Sequence, residues 1–529
     1  MNKPLSETFE SIAGGASAPR GSGLAGHLRT SAKGVLTRFR DNIAESGRNP
    51  LSTALGFGIA WGLYFLVLYA LPTPQGLSPA GKACLAVVIW ACVIWVSEAI
   101  PVGITGILIP MLLVMSGATK TFGQAVGGFI TEAAFVCMIA FILAAIVQAA
   151  GLDRRLALTL LHKAKVKTVN GVIWVLFGVN FVLSFVIPGS NPRGALMLPV
   201  MKGITDLLGD SPAEREAKKA IFIQALVYGS MIAGMCIMTA HLPNLILVGL
   251  FQSKLSLNIS YFEWFLLQWP YLGMFALTQV WIQYYFKTRN MKIAGSARLI
   301  EQQVSQLPKM SQSEWLILVC LGAMAIMWMT EDIFKIKSSI AAMLGLSLLF
   351  IPGLFKFKWK DIQDRTIWGT FLLLGGALSM SAAMGSSGLA QWLADYVHPI
   401  AAGHAWWMIL LIMMFGTHIL RLGMLSNVAA IALFAPILLA LAPKLGLHPV
   451  AFTLLISDTD TFAYMLPTQI TVAVIAYSSG TFSMTDYAKV GWVSVLLAIA
   501  YGILIMAPWY AFLGIPLWDP SAPWPFTKG

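Results

Sequence analysis

Two long apolar stretches of this chain are each interrupted by a serine–asparagine pair. The first pair lies in residues 189–194, with the sequence GSNPRG, and the second is Ser426-Asn427, almost half a chain length further on. A helix that stops inside hydrocarbon leaves N–H and C=O groups without partners, which is tolerated only where protein or a water-filled cavity supplies them. The two interruptions therefore predict a buried polar site built from both halves of the chain.

The surrounding sequence is that of a polytopic membrane protein. Of its 529 residues 57% are hydrophobic and 11% are charged, and many of its apolar runs approach the roughly 20 residues that cross a bilayer. The net charge of +12 comes from Lys and Arg in short loops between these runs, which is the pattern of cytoplasmic loops. We therefore expect membrane lipid as a partner and no nucleic acid.

The five cysteines stand singly in or beside apolar runs, which argues against a metal site or a disulfide framework. Residues 1–52 are polar and basic and lack the apolar core of a signal peptide, so the first span would act as the insertion signal. Interleaved apolar and basic residues in this cytoplasmic segment fit either a helix on an anionic membrane surface or a partly disordered tail.

The apolar runs and basic loops divide the chain into consecutive units. We predict a first span and turn at 53–82, a first repeat at 83–286 with a re-entrant hairpin at 170–201, a cytoplasmic linker at 287–312, a second repeat at 313–512 with a hairpin at 403–442, and a tail at 513–529.

The repeat boundaries rest on landmarks that recur in one order. They are Glu98 and Glu331, Gly151 and Gly388, Ser190 and Ser426, and Pro243 and Pro467. Four ordered pairs at nearly one spacing indicate an internal duplication. Basic loops flank the first hairpin and nearly uncharged ones the second, so the halves have opposite topology, with the N-terminus cytoplasmic and the C-terminus outside. The matching positions of the two glutamates favour a structural role for both.

Inverted repeats with broken helices at mid-membrane are the pattern of secondary transporters, and no ATP-binding P-loop motif is present. Each Ser-Asn pair would form the tip of its hairpin, and the free N–H groups at the helix start there suit an anion. Two such tips and two nearby helix breaks predict the substrate-binding residues, which are Ser190, Asn191, Ser426, Asn427, Pro243, Asn244, Pro467 and Thr468.

Ionisable residues at membrane depth are the other candidates, because they are costly there. Arg193 would contact the substrate, stand where a coupling cation would otherwise sit, or pair with a carboxylate. Asp458 and Asp460 would pair with Arg193 or Arg421, bind a cation or carry a proton, although their spacing prevents both from sharing one helix face. His241 is either a proton relay or a hydrogen-bonded core residue.

The chain resembles the divalent anion/sodium symporters from about residue 54 to 512. The resemblance rests on the Ser-Asn tips and on three further motifs, which are SEAIP at 97–101, GLDRR at 151–155 and WGTFLLLGG at 368–376. It implies a homodimer with about eleven transmembrane helices and two re-entrant hairpins, in which a transport domain moves like an elevator against a scaffold. It also implies that the tips bind substrate carboxylates and help to form sodium sites.

The tips depart from the Ser-Asn-Thr of the family, since Pro192 and Val428 replace the threonines and Arg193 adds a positive charge. At 4 Å such a charge would repel Na+ by about 4 kcal/mol at an effective dielectric constant near 20. This favours a sodium-independent exchanger of C4-type dicarboxylates in a bacterial inner membrane, without a cofactor or bound metal. The alternative carrier is a symporter of citrate, a sulfonate or sulfate, coupled to Na+ or H+.

Two other classes are possible on this sequence. A channel-like anion pathway would pass current without counter-flow. An enzyme is the least favoured class, because no metal-ligand cluster or nucleophile–base pair accompanies the breaks.

Overall fold

The computed structural model describes residues 50–293, 296–352, 358–424 and 426–526. The expectations for residues 1–52 therefore lie almost wholly outside the described residues, as do the last three residues of the predicted tail. Where the chain is described it is helical and contains no extended strand, which confirms the all-α polytopic class.

The helices of the first half begin at Pro50 and are separated by short turns. In chain order they are α1 Pro50–Phe65, α2 Pro79–Ser97, α3 Val102–Met115, α4 Phe122–Ala125, α5 Glu132–Ala150, α6 Leu152–Ala164, α7 Val169–Ser184, α8 Ser190–Thr205, α9 Pro212–Ala220, α10 Gly229–Cys236, α11 Leu242–Leu255, α12 Tyr261–Gln268 and α13 Leu272–Tyr285. Wider π-helical turns at Leu66–Ala70 and Ile221–Tyr228 extend α1 and join α9 to α10.

A linker helix, α14 Ser296–Ser305, precedes the second half. The helices that follow are α15 Gln312–Met329, α16 Glu331–Phe334, α17 Ser338–Leu349, α18 Trp359–Arg365, α19 Trp368–Ser386, α20 Leu389–Ala401, α21 Trp406–Arg421, α22 Asn427–Leu441, α23 Pro449–Thr461, α24 Thr471–Tyr477, α25 Met484–Tyr501 and α26 Ala507–Phe512.

Eight helical stretches in the described part of the chain are long and apolar enough to cross a membrane, or nine if the pair α20 and α21, bent by 120°, forms one span. Four shorter apolar helices accompany them, which are α3, α7, α11 and α17. The predicted count of about eleven spans and two re-entrant hairpins stays a prediction.

Burial separates inner from outer helices. The most apolar window of the stretch Pro212–Cys236 is 94% buried, whereas that of Thr53–Ala70 or Gln312–Met329 is 28% buried. Helices α3 and α19 pack so closely that a Cβ at Gly106 would lie 2.2 Å from the carbonyl oxygen of Leu372. Glycine is required there because any side chain would collide with backbone. This contact holds α19 directly against α3.

The two halves are joined by reciprocal packing around their breaks. Helices α7 and α8 are separated by residues 185–189, and α21 and α22 by residues 422–426, in both cases inside a predicted hairpin. Helix α8 packs against α24 of the second half, and α22 packs against α11 of the first half. The rings of Tyr228 and Tyr464 stack at 3.7 Å between the halves. The helix that follows each tip therefore packs against the other half of the chain.

Candidate functional site

A cavity of about 690 Å³ lies where the two tips meet. Residues 189–192 and 426–428 form two of its sides, and the starts of α11 and α24 form two others. The remaining lining comes mainly from α2, α5, α18 and α19. A pocket of this size with a few convergent polar groups is typical of a small-molecule site.

The first tip is shaped by the backbone before α8. Gly189 precedes the helix with a φ of +78°, a conformation that favours glycine. Pro192 stands at the third helical position, where the missing N–H has no intrahelical acceptor to lose. Ser190 and Asn191 line the cavity, and their contact with substrate stays a prediction. The free N–H groups of the first turn accordingly belong to the cavity wall.

The second tip has a conventional cap. Ser426 precedes α22, and its side-chain oxygen accepts a hydrogen bond from the backbone N–H of Ala429. Ser426, Asn427 and Val428 all line the cavity, so the two predicted tips do face one space. Ser426 therefore caps the helix and lies at the cavity at the same time.

The two helix breaks have the same local form. Each consists of an extended residue, a three-residue 3-10 turn, a second extended residue and a new helix: the turns are Met238–Ala240 and Pro467–Gln469. His241 and Ile470 are the extended residues that precede the helices, and both line the cavity. By this geometry Ile470 is the counterpart of His241.

That geometry corrects the matching of Pro467 with Pro243. Pro243 lies in the first turn of α11 and lines the cavity, whereas Pro467 begins the 3-10 turn and Thr468 is exposed, and neither lines the cavity. Their predicted place is taken by Ile470 and Thr471. The Leu-Pro dipeptide occurs at different points of the two breaks, so its recurrence in the sequence does not mark equivalent positions.

Asn244 differs from its prediction as well. Its Nδ2 donates to the carbonyl oxygens of Gly234, Met235 and Ile237 at 3.1–3.2 Å, and the residue does not line the cavity. The amide satisfies carbonyl groups that the end of α10 leaves unpaired. In this conformation Asn244 stabilises the first break.

Arg193 is fully buried and does not line the cavity. Its Nη1 donates to the carbonyl oxygens of Ile187 (2.9 Å) and Ala240 (3.0 Å), and its Nη2 donates to that of Ser230 (2.9 Å). No carboxylate of the described residues pairs with it. In this conformation the guanidinium is used by backbone carbonyls, and the predicted direct contact with substrate stays a prediction.

Arg421 donates to the break of the second half and, unlike Arg193, has an acidic partner. Its Nη1 donates to Oδ2 of Asp460 at 2.7 Å, and both side chains are buried. Its Nη2 donates to Oδ1 of Asn427 and to the carbonyl oxygen of Gln469 at 3.2 Å. Nε2 of Gln469 in turn donates a hydrogen bond to the carbonyl oxygen of Arg421. Sequence reasoning missed Gln469, which no local pattern distinguishes from an ordinary turn residue.

Asp458 and Asp460 face different surroundings, as their spacing predicted, and neither lines the cavity. Asp458 is 3% exposed, and its Oδ2 accepts hydrogen bonds from Nε2 of Gln268 at 2.8 Å and from the hydroxyl of Tyr510 at 3.4 Å. No cationic side chain in the described ranges pairs with it. A buried carboxylate in that position either takes up a cation or becomes protonated.

Three charged residues that sequence reasoning did not assign to the site also line the cavity. They are Glu98, Asp153 and Arg365. Glu98, expected in a structural role, ends α2 with a positive φ of 49°. Asp153 lies on α6, which is not among the candidate spans; burial raises the pKa of its carboxyl group, against the nearby charge of Arg365. The cavity thus presents both signs of charge.

Comparison with protein families gives one match over most of the chain. Residues 59–516 match the model described as the sodium:sulfate symporter transmembrane region.

Among the described residues, no group of three or more His, Cys, Asp or Glu side chains is placed to hold a metal ion.

Known relatives align along nearly their whole length. A membrane protein of Cupriavidus necator is 27% identical over 86% of this chain and 93% of its own. Sodium-dependent dicarboxylate transporters SdcS are 27% identical in Staphylococcus saprophyticus, covering 87% of this chain and 92% of theirs, and 26% identical in Staphylococcus aureus MRSA252, covering 93% and 98%. The crystal structure of the Alcanivorax borkumensis YdaH transporter, 13% identical, superposes with a TM-score of 0.51 over 81% of this chain and 98% of that one.

Proposed function

This chain belongs to the family of the sodium:sulfate symporter transmembrane region, whose members are transporters and not enzymes, and we propose that it carries small organic dianions across the membrane. The class of cargo is supported by the dicarboxylate transporters among its relatives. The observation that carries the proposal is the single cavity that both Ser-Asn tips line.

The chemistry of the cavity suits a doubly negative molecule. Helix α8 and helix α22 begin at its walls, and the N–H groups of a first helical turn attract an anion at each. Ser190, Asn191 and Ser426 add hydroxyl and amide groups beside them. Two anion-binding helix starts at one cavity fit a molecule with one carboxylate at each end.

We further propose that the carrier exchanges one dicarboxylate for another without sodium. Unwound backbone carbonyls are the usual ligands of coupling cations in broken-helix transporters. In the first half two such oxygens, of Ile187 and Ala240, accept from Arg193 instead, as does the carbonyl oxygen of Ser230 in α10. A fixed cation there would offset part of the substrate charge and disfavour Na+ by repulsion.

The second candidate is a carrier coupled to Na+ or H+, with citrate, a sulfonate or sulfate as alternative cargoes. It is favoured by the sodium dependence that the names of the SdcS relatives state. It is also favoured by Asp458, a buried carboxylate that has no cationic partner among the described residues. Asp458 would then be the group that binds the coupling ion.

Several finer points belong to the same proposal. The carrier would be a homodimer in the bacterial inner membrane, with its N-terminus in the cytoplasm and its C-terminus outside. Its inverted repeats would form a scaffold and a transport domain that moves like an elevator. The reciprocal packing of α8 on α24 and of α22 on α11 supports a unit that carries both tips together.

A ligand screen tests the proposed cargo. A ligand that binds only the folded state raises the melting temperature. Purified protein would be heated with succinate, citrate, sulfate, a sulfonate and the monoanion butyrate. We expect the largest shift with a C4-dicarboxylate and none with butyrate. If none of the dianions raised the melting temperature, the proposal would be overturned. If only citrate or sulfate raised it, the second candidate would be favoured.

A further inference from the structure

A chain of three polar side chains crosses from the second half of the molecule to the first. Arg421 ends α21, Asn427 begins α22, and His241 precedes α11. Nη2 of Arg421 donates to Oδ1 of Asn427, and Nδ2 of Asn427 lies 3.3 Å from Nε2 of His241. Asn427 and His241 both line the cavity, where they are 9% and 3% exposed.

The donors and acceptors of this chain allow one arrangement. A guanidinium has donors only, so the oxygen of the Asn427 amide must face Arg421 and its NH2 group must face His241. Nε2 of His241 must then be the acceptor, and its ring carries the proton on Nδ1. The imidazole is thus held in one tautomer by the order of its neighbours.

The same chain fixes the amide of Asn427. Its oxygen is used by Arg421 and one of its two N–H donors by His241, which leaves one N–H donor at the cavity wall. His241 does not use its side chain to cap α11, since no hydrogen bond joins the imidazole to the free N–H groups of that helix. Helix capping therefore does not explain a histidine at this position.

We propose that His241 is a positioning residue of the substrate site, which holds the Asn427 amide through the Nε2 acceptor so that the remaining N–H of the amide meets a substrate carboxylate. The proposal rests on the proposed function, because it concerns how the dianion site is kept in order. It assigns His241 an uncharged role in binding, which differs from both predicted alternatives, the proton relay and the hydrogen-bonded core residue.

Two substitutions of similar size separate this role from simple packing. In H241Q the side-chain oxygen reaches the position of Nε2 and can accept from Asn427, whereas in H241N the amide ends at the position of Nδ1 and cannot. We expect H241Q to bind succinate within about threefold of the wild type, and H241N to bind it about tenfold more weakly, since a buried donor left unpaired typically costs that much.

The measurement is succinate affinity by isothermal titration, with KM and maximal rate of succinate exchange in proteoliposomes as the second readout. H241N should raise KM and leave the maximal rate nearly unchanged. His418, also buried, lies 2.8 Å from the carbonyl oxygen of Met414 and does not line the cavity, so H418N and H418Q are matched controls that should keep the wild-type affinity.

Equal affinity in H241N and the wild type, or equal weakening in H241Q and H241N, would overturn the proposal. Melting temperatures of the unliganded variants show whether each one folds, and the glutamine and asparagine variants then remain directly comparable. Wild-type protein that binds no dianion would overturn the proposed function itself, and this inference with it.

Discussion

Arg193 and Arg421 hold equivalent backbone carbonyls in the two halves of the molecule. Arg193 donates to Ala240 at 3.0 Å and Arg421 donates to Gln469 at 3.2 Å, and each acceptor is the last residue of the 3-10 turn in its own half. Arg421 is neutralised by Asp460, whereas Arg193 has no acidic partner among the described residues. The two breaks therefore share a geometry and differ in charge.

Removing the charge of Arg193 should expose a cation site. In R193Q three buried carbonyls lose a cationic donor, and we expect succinate affinity to fall about tenfold and to become responsive to Na+, because carbonyl oxygens bind hard cations. Titration of succinate at 0 and at high NaCl, with choline chloride as the ionic-strength control, measures this. R193K keeps the charge and should stay unresponsive to Na+. Equal sodium independence in R193Q would contradict the assignment.

The buried side chains of Arg421 and Asp460 should contribute to stability as a coupled pair, so that losing one partner costs more than losing both. Breaking a buried ion pair costs about 3–5 kcal/mol, whereas replacing both partners by apolar residues is often nearly neutral. We expect R421M and D460L each to lower the melting temperature strongly and the double variant to recover much of it. The double variant should not recover succinate affinity, because Asn427 has lost its donor. Additive losses of stability would show that the two charges are not coupled.

Substitution of Asp458 distinguishes dicarboxylate exchange from proton-coupled transport. Its carboxylate lies outside the cavity, and asparagine can still accept from Gln268 and Tyr510, so D458N should keep succinate exchange within about twofold of the wild type. Uptake is measured into proteoliposomes with and without an inward proton gradient. Gradient-driven uptake in the wild type that disappears in D458N would instead support the coupled carrier.

Asp153 should make stability depend on pH. Burial raises the pKa of its carboxyl group above that of the unfolded chain, so the folded state binds the proton more tightly and is stabilised as pH falls toward that pKa. At neutral pH the buried charge is a cost, and D153N should melt at a higher temperature than the wild type. The difference should shrink in acid. A D153N variant that melts below the wild type at neutral pH would instead show that the carboxylate is stabilised by Arg365.

The tips could be predicted from sequence because hydrocarbon leaves so little choice. A polar pair inside an apolar run must find partners, so the sequence alone predicts Ser190, Asn191, Ser426 and Asn427 as site residues. Both pairs line one cavity because α8 and α22 each pack against a helix of the opposite half. The periodicity of a sequence carries no information about such packing.

Other features depend on side-chain direction and could not be predicted. Arg193 lies one residue beyond the lining residues of its tip, and only the fold shows that its guanidinium turns to the backbone behind them. Gln469 has an acceptor and a donor in the right place only because Arg421 is folded against it. Pro467 matched Pro243 by letter, although the 3-10 turns show that His241 and Ile470 are the equivalent residues.

Counter-flow is the most direct test of sodium-free dicarboxylate exchange. Proteoliposomes preloaded with succinate, or left empty, are given radiolabelled succinate outside, each with and without an inward Na+ gradient. Sodium-free exchange predicts rapid uptake only into preloaded vesicles, at a rate that Na+ does not change. Uptake into empty vesicles that requires the Na+ gradient would contradict it.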